Sequence, residues 1–292
     1  MTCSEINIRD PYVIYENGTY YMYGTRAANF GRLTGGFDVY TSTDMETWSD
    51  PIPCFDSEKF GLNRECNWAP EVHIYQGAYY LLATFTRECG LRGTFILRAD
   101  NPLGPFVPHG EKQLTPDEWE CLDGTLYVSP EGKPWIVFCH EWVQVKDGEM
   151  CAVRLTEDLS APAGEPFLLF KASESGWAAD IRNGEGCRIT DGPYLRRMAS
   201  GALMLIWSSA KRDGDGTCYA TGAAISESGR LTGPWHHRHP FLFHKDGGHA
   251  MFFTDHTDTE RLVLHQPNKP AGMERARLFT VTEENGEVRI RE

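Results

Sequence analysis

The sequence lacks several features that would point to other kinds of protein. Its nine cysteines (Cys3, Cys54, Cys66, Cys89, Cys121, Cys139, Cys151, Cys187 and Cys218) are odd in number and form no C-x-x-C pair. That argues against a disulfide framework or a structural zinc site and for reduced thiols. No apolar run approaches the roughly 20 residues of a membrane-spanning helix. Basic residues are scarce: 28 Lys and Arg stand against 41 Asp and Glu, a formal net charge of -13. Such a surplus repels phosphate backbones and anionic lipid, so neither nucleic acid nor a membrane is an expected partner. Met1 to Arg9 lacks the basic start and apolar stretch of a secretion signal, from which a cytoplasmic location is expected. Amphipathic stretches of helical length are missing too, with only Asp117 to Cys121 reading as one short helical turn.

What the chain has is strands. Alternating or β-branched and aromatic runs recur at Tyr12 to Tyr15, Tyr20 to Tyr23, Tyr79 to Thr84, Trp135 to Cys139 and Leu203 to Trp207, each bounded by Gly, Pro, Asn or Asp. They fall into five units that open on Asp10, Glu71, Asp123, Asp191 and His249. Each unit runs a short strand into a turn and returns as a second apolar strand. Gly18, Gly77, Gly132 and Gly201 sit in the first four turns, the expected hairpin chemistry. Third strands follow at Phe37 to Ser42, Thr94 to Ala99, Cys151 to Thr156 and Tyr219 to Ser226. A repeat of roughly 50–70 residues with three to four strands predicts an all-β fold, a single five-bladed β-propeller spanning residues 1–292.

In a propeller the first strand of every blade lines the central channel, so the residues opening those strands converge on one mouth. That ring is Asp10, Glu71, Asp123, Asp191 and His249. The antiparallel second strand returns to the same mouth, which brings Glu141, after Cys139 and His140, beside Asp123. Several carboxylates around an aromatic-rimmed cavity suggest paired acid and base chemistry. Four of these residues also have a plainer use. Asp10 before Pro11 suits a turn cap, the Asp-Gly pairs at Asp123 and Asp191 are ordinary turn chemistry, and Glu141 suits a blade-to-blade ion pair.

The motifs Arg9-Asp10-Pro11, Trp68-Ala69-Pro70-Glu71, Leu122-Asp123-Gly124, Asp191-Gly192-Pro193 and Gly247-Gly248-His249, in this order and at blade spacing, resemble the family 43 glycoside hydrolases. The resemblance covers nearly the whole chain. It implies an inverting glycosidase acting on arabinofuranosides, xylosides or related galactosyl sugars. The cytoplasmic location expected from the missing secretion signal would bring it short imported oligosaccharides, so a small oligosaccharide is the expected partner and exo action on its non-reducing end the expected mode. The resemblance further implies Asp10 as general base and Asp123 as the residue that orients the acid and tunes its pKa. For the general acid it leaves two residues. Asp191 stands where many members have the Glu of an E-G-P sequence, one methylene longer, and Glu141 beside Trp142 is the other. His249 resembles a fifth-blade His that faces a hydrated cation, commonly calcium, in the channel, which makes it the one candidate metal contact; the chemistry itself requires no cofactor. Glu71 is a candidate for binding sugar hydroxyls, as is His249 for substrate contact, with a hydrogen-bonded structural role the plainer use of His249; Trp68, Trp142 and Trp119 are candidates for stacking on a sugar face, although packing between blades is the commoner use of a propeller Trp. Arg87 and Arg182 are candidates for the rim, with a solvated surface role the plainer use of both. Two alternatives stand beside this one: a glycan-binding propeller without catalysis, and a phosphate-dependent glycoside phosphorylase.

Overall fold

Strands that are apolar on both faces need a partner on each side, and a radial arrangement provides one. The computed structural model describes residues 1–29 and 33–292. Its strands form five four-stranded antiparallel sheets, each drawn from one contiguous stretch with its strands in chain order. Blade 1 holds β1 (Ile8–Glu16), β2 (Thr19–Arg26), β3 (Phe37–Ser42) and β4 (Ile52–Phe55). Blade 2 holds β5 (Trp68–Tyr75), β6 (Ala78–Thr86), β7 (Arg92–Ala99) and β8 (Val107–Pro108). Blade 3 holds β9 (Cys121–Val128), β10 (Pro134–His140), β11 (Glu149–Arg154) and β12 (Phe167–Lys171). Blade 4 holds β13 (Asp191–Arg197), β14 (Leu203–Asp213), β15 (Gly216–Ser226) and β16 (His236–Phe243). Blade 5 holds β17 (Gly248–Thr254), β18 (Glu260–Gln266), β19 (Arg275–Glu284) and β20 (Glu287–Arg291). This is the five-bladed propeller that the repeats predict.

The turns follow from their residues. Asn17-Gly18 and Gln76-Gly77 close two-residue hairpins with positive φ at both positions, the geometry that matches strand twist. The fifth inner hairpin has no glycine. There the buried Asp255 carboxylate accepts the amides of Thr257 and Thr259 and an Arg261 N–H, and so organises the loop itself. The helical turn expected over Asp117 to Cys121 is not helical. Residues 117–118 form a plain turn and Cys121 opens β9, while the α-helix α1 (Trp142–Val145) lies after β10.

Alternation along the strands feeds five apolar wedges, one between each pair of neighbouring blades. On β10, Ile136 and Phe138 pack toward blade 2 and Val137 and Cys139 toward blade 4. On β14, Leu203, Leu205 and Trp207 face blade 3, whereas Met204 and Ile206 face blade 5. The period of two therefore decides which wedge a residue joins. Ring closure is made where Ile8, Val13 and Met22 pack on Met251, Phe253 and Val263. It is tied by Glu274, whose fully buried carboxylate accepts Arg9 Nη1 at 3.1 Å and the Gly272 amide at 2.6 Å. Glu274→Ala should leave the buried Arg9 guanidinium with Asp10 as its nearest counter-charge and the Gly272 amide without its acceptor, and cost about 2–3 kcal/mol. Urea denaturation measures this, and a loss below about 1 kcal/mol would show that closure does not depend on the pair.

Candidate active site

The inner strand of every blade carries a β-bulge at the same place. Two residues face one on the second strand, and the first of the two is left-handed: Asp10 (φ 52°), Ala69 (φ 48°), Asp123 (φ 55°), Gly192 (φ 50°) and His249 (φ 53°). This register corrects the ring read from the sequence. Glu71 lies two residues beyond Ala69, the left-handed residue of blade 2, and Asp191 one residue before Gly192, that of blade 4. Glu71 is therefore not at the mouth. It sits deeper in the channel with Oε2 at 3.0 Å from His73 Nε2, and His73 Nδ1 is 3.2 Å from the Tyr12 hydroxyl.

Most bulge amides are held by a side chain from the second strand of the preceding blade. The Ala69 amide donates to Thr25 Oγ1 (2.8 Å), that of Asp123 to Thr84 Oγ1 (2.9 Å) and that of His249 to Ser208 Oγ (2.9 Å). The Asp10 amide donates to His265 Nδ1 at 3.3 Å. His265 Nδ1 also lies 3.3 Å from Asp10 Oδ1, which by distance alone would suggest an ion pair. A ring nitrogen that accepts the amide carries no proton, and burial together with Arg9 lowers the His265 pKa. His265 is therefore neutral, with its proton on Nε2 toward Asn268 Oδ1, 3.3 Å away.

At the mouth lies a cavity of about 170 Å³ lined by Arg9, Asp10, Trp68, Arg92, Leu122, Asp123, Glu141, Trp142, Ile189, Asp191, Tyr219 and His249. The four candidate carboxyls thus share one cavity with Trp68, Trp142 and His249. Trp119 does not join them, because it stacks on His140 with ring centroids 4.2 Å apart. Arg87 is held by the carbonyls of Asp117 and Trp119. Arg182 does reach the rim, its guanidinium 4.9 Å from the Trp142 ring centre. Arg92 and Tyr219 carry no motif of their own. The first residues of a third strand adjoin the end of the second and so return to the mouth as well, a topological signal that would have found Arg92.

The charges are arranged unequally. Asp10 Oδ1 lies 3.2 Å from His249 Nδ1 and 3.5 Å from Arg9 Nε, and Oδ2 accepts the Thr25 hydroxyl at 2.8 Å. Burial opposes its ionisation, but His249 and Arg9 together outweigh that and hold Asp10 well below the usual carboxylate range. His249 is pushed the other way. Burial disfavours its charge, yet Asp10 and Asp123 raise its pKa, so an imidazolium stands between two carboxyls. Asp123 has Oδ2 at 3.7 Å from His249 Nδ1 and accepts the Gly192 amide at 3.1 Å. Its pKa is raised by burial, and Asp191 and Asp10 add to this against the pull of His249. Asp191 accepts the Tyr219 hydroxyl at 2.9 Å and is raised as well, again chiefly by burial.

Glu141 follows β10 and opens α1, with its amide donating to the Glu120 carbonyl at 2.8 Å. Its Oε2 accepts Arg92 Nη2 at 2.9 Å, and Arg92 also binds Glu120 and lies 5.1 Å from the Trp68 ring centre. Glu141 is thus both a blade-to-blade ion pair and part of the cavity wall. Burial, reinforced by Asp191, raises its pKa to about 8 despite Arg92.

A calcium ion takes six to eight oxygens. Among the described residues no group of three His, Cys, Asp or Glu side chains converges as a metal site, and His249 spends Nδ1 on Asp10. His249 Nε2 is buried with no protein partner, but one imidazole does not make a calcium site. The described residues do not fit a protein-built cation site.

This fold and cavity define a five-bladed propeller with a carboxyl-lined pocket at one mouth of its channel, and comparison with known proteins places it. The chain belongs to glycosyl hydrolases family 43, whose family model matches residues 4–285. It is similar to an endo-arabinase from Bacteroides thetaiotaomicron VPI-5482, with 37% identity and a TM-score of 0.89 over 98% of each chain. An α-L-arabinofuranosidase from Lactobacillus brevis shares the fold at 17% identity and a TM-score of 0.73, over 96% of this chain and 92% of that one. The extracellular endo-α-(1→5)-L-arabinanase 1 of Bacillus subtilis (strain 168) is 21% identical over 192 residues, 59% of this chain and 54% of that protein. The chain thus matches about half the length of that curated relative.

A carboxyl whose pKa is raised on folding makes the folded state progressively less favourable as pH climbs from its unfolded value to its folded one. For Glu141 that window runs from roughly 4.3 to about 8. Glu141→Gln, still able to accept from Arg92, should match the parent protein in melting temperature near pH 4.5 and exceed it increasingly up to pH 8. A constant difference across that range would show that Glu141 ionises in the folded protein like a solvated glutamate.

Proposed function

We propose that the protein hydrolyses α-L-arabinofuranosyl linkages with inversion, Asp10 acting as general base and Glu141 as general acid. The observation that carries this is the opposite displacement of two carboxyls on one cavity wall. Asp10 is held ionised beside His249 and Arg9, and Glu141 is held protonated by burial. Environments that push a pair of carboxyls apart mark the base and the acid. The two come from blades 1 and 3, with blade 2 between them, which suits the roughly 6.5–9.5 Å an inverting pair leaves for water and sugar.

In this reading Asp10 takes a proton from the attacking water while Glu141 donates one to the departing glycosidic oxygen. Glu141 becomes anionic as it gives up its proton and is then balanced by Arg92, while the positive charge that develops on the sugar ring is stabilised by the carboxyl-rich wall that Asp123 and Asp191 share. Asp123 acts on the acid through its own field, and Asp191, bonded to Tyr219, takes the same supporting part. The one-methylene shortfall of Asp191 against the family's Glu supports giving the acid role to Glu141. Arabinofuranosyl specificity is supported by the relatives, which are described as an endo-arabinase, an endo-α-(1→5)-L-arabinanase and an α-L-arabinofuranosidase.

Asp10→Asn should abolish nearly all turnover, a loss of at least about 10³-fold in kcat, without altering the fold. Glu141→Gln should lose far more on a substrate with a poor leaving group than on an activated aryl arabinofuranoside. Asp191→Asn should lose similarly on both. The reverse pattern would transfer the acid role to Asp191. Activity should also decline as pH rises through about 8, where Glu141 gives up the proton it must donate.

A cavity of about 170 Å³ has room for a single sugar ring, which favours exo action and release of arabinose. Endo cleavage is the second reading, favoured by the description of the Bacteroides relative. Early products from linear arabinan separate the two. Arabinose alone supports exo action, and a ladder of oligosaccharides with little arabinose supports endo cleavage.

A further inference from the structure

The five bulge amides are satisfied on one plan, with one exception. Thr25, Thr84, Ser208 and His265 each pair with the residue just before the bulge of their own blade: Arg9, Trp68, Asp191 and Gly248. Each accepts the bulge amide of the next blade. In blade 3 the same register position, opposite Leu122, is Cys139. A thiol is a weak acceptor, and the amide that the plan assigns to it, that of Gly192, goes to Asp123 Oδ2 at 3.1 Å.

We propose that Cys139 is a positioning residue: by withholding a strong acceptor from the ring, it directs the Gly192 amide onto the Asp123 carboxyl. That bond ties Asp123 of blade 3 to the backbone next to Asp191 of blade 4. The inference rests on the reading of Asp123 as part of the catalytic set. Blade 1 shows what a hydroxyl does at this position. Thr25 takes the Ala69 amide for itself and turns its own O–H to Asp10 Oδ2, so Asp10 receives a hydroxyl in place of an amide. Ser208 shows that a serine reaches the next blade's amide, at 2.9 Å. Gly192 itself has little freedom to move, because even a Cβ at that position would come within 2.7 Å of the His249 ring.

The test reverses the ranking that side-chain size alone would give. Serine is closer in size to cysteine than alanine is, yet Cys139→Ser should lose roughly tenfold in kcat with KM nearly constant. Cys139→Ala, which offers no acceptor, should lose several-fold less. Crystal structures of the two variants read the hydrogen bond directly. The Gly192 amide should move to the introduced hydroxyl in the first and stay on Asp123 in the second. Should the smaller variants misfold, Cys139→Thr and Cys139→Val, equal in shape, make the same comparison. Equal kcat losses within a pair, or an amide still on Asp123 in the hydroxyl variant, overturn the proposal. An Asp123→Asn variant with undiminished kcat would instead overturn the site reading beneath it, and the crystal structures tell these two failures apart.

Discussion

At the mouth of the channel each inner strand passes through one residue in the left-handed region before it regains regular pairing, and the candidate site is built on that irregularity. In an unbroken strand, neighbouring side chains point to opposite faces. Arg9 and Asp10 would then divide between cavity and wedge, as would Leu122 and Asp123. The bulge inserts one residue opposite a single partner and re-aims the chain, so both members of each pair line the same cavity. Left-handed backbone costs of order 1 kcal/mol or more at Asp, His and Ala. It is sustained by the hydrogen bonds that hold the bulge amides from the neighbouring blade. The same bonds stitch blade to blade, so the geometry of the site and the closure of the ring have one cause.

Charge balance follows from that crowding. Four carboxyls face the cavity with three cationic partners, Arg9, Arg92 and the His249 imidazolium. Arg9 is shared with Glu274 and Arg92 with Glu120, both themselves buried. Full ionisation of all four would leave at least one buried carboxylate without compensation, which is far more costly than retaining a proton. The fold therefore holds a proton in the cavity at neutral pH. The only question is where, and Asp10, with a cation on each side, is the least favourable place. A site that contains a ready proton donor and a ready anion before any sugar arrives is what acid–base cleavage needs.

Much of this was legible in the sequence because a propeller repeats itself. Five units, their strand order and the gathering of Asp10, Asp123, Asp191, His249 and Glu141 follow from where the turns and apolar runs fall. The misplacement of Glu71 shows where such reading fails. Aligning the units on their acidic residues put Glu71 at the mouth, whereas the bulge is marked by what comes after its left-handed residue: Pro11, Pro70, Gly124, Pro193 and Ala250. Aligned on those positions, Ala69 falls into register with Asp10 and Glu71 moves two residues down the channel. Arg92 and Tyr219 escaped because their strands carry no repeated motif, and the stacking of Trp119 on His140 depends on a turn whose path no periodicity encodes.

Substrate choice belongs to a different layer of the molecule. The fold is shared with a protein described as an endo-arabinase and with one described as an α-L-arabinofuranosidase. Fold alone therefore does not select a linkage. The rim is built from segments outside the blades. Trp142 comes from α1, and Arg182 comes from a loop whose shape is set by Asp180, which accepts the amides of Arg182, Gly184, Gly186 and Cys187. The Arg182 guanidinium covers the Trp142 ring, the kind of face on which a sugar would stack. A sugar that stacks on that face must displace Arg182, which is half exposed and bound in the loop to Glu185 at the long distance of 4.0 Å. An exposed cation–π contact is worth about 0.5–1 kcal/mol, small beside the burial of a sugar ring against indole. The loop that carries Asp180 can therefore retune the rim without disturbing the ring of bulges that holds the carboxyls.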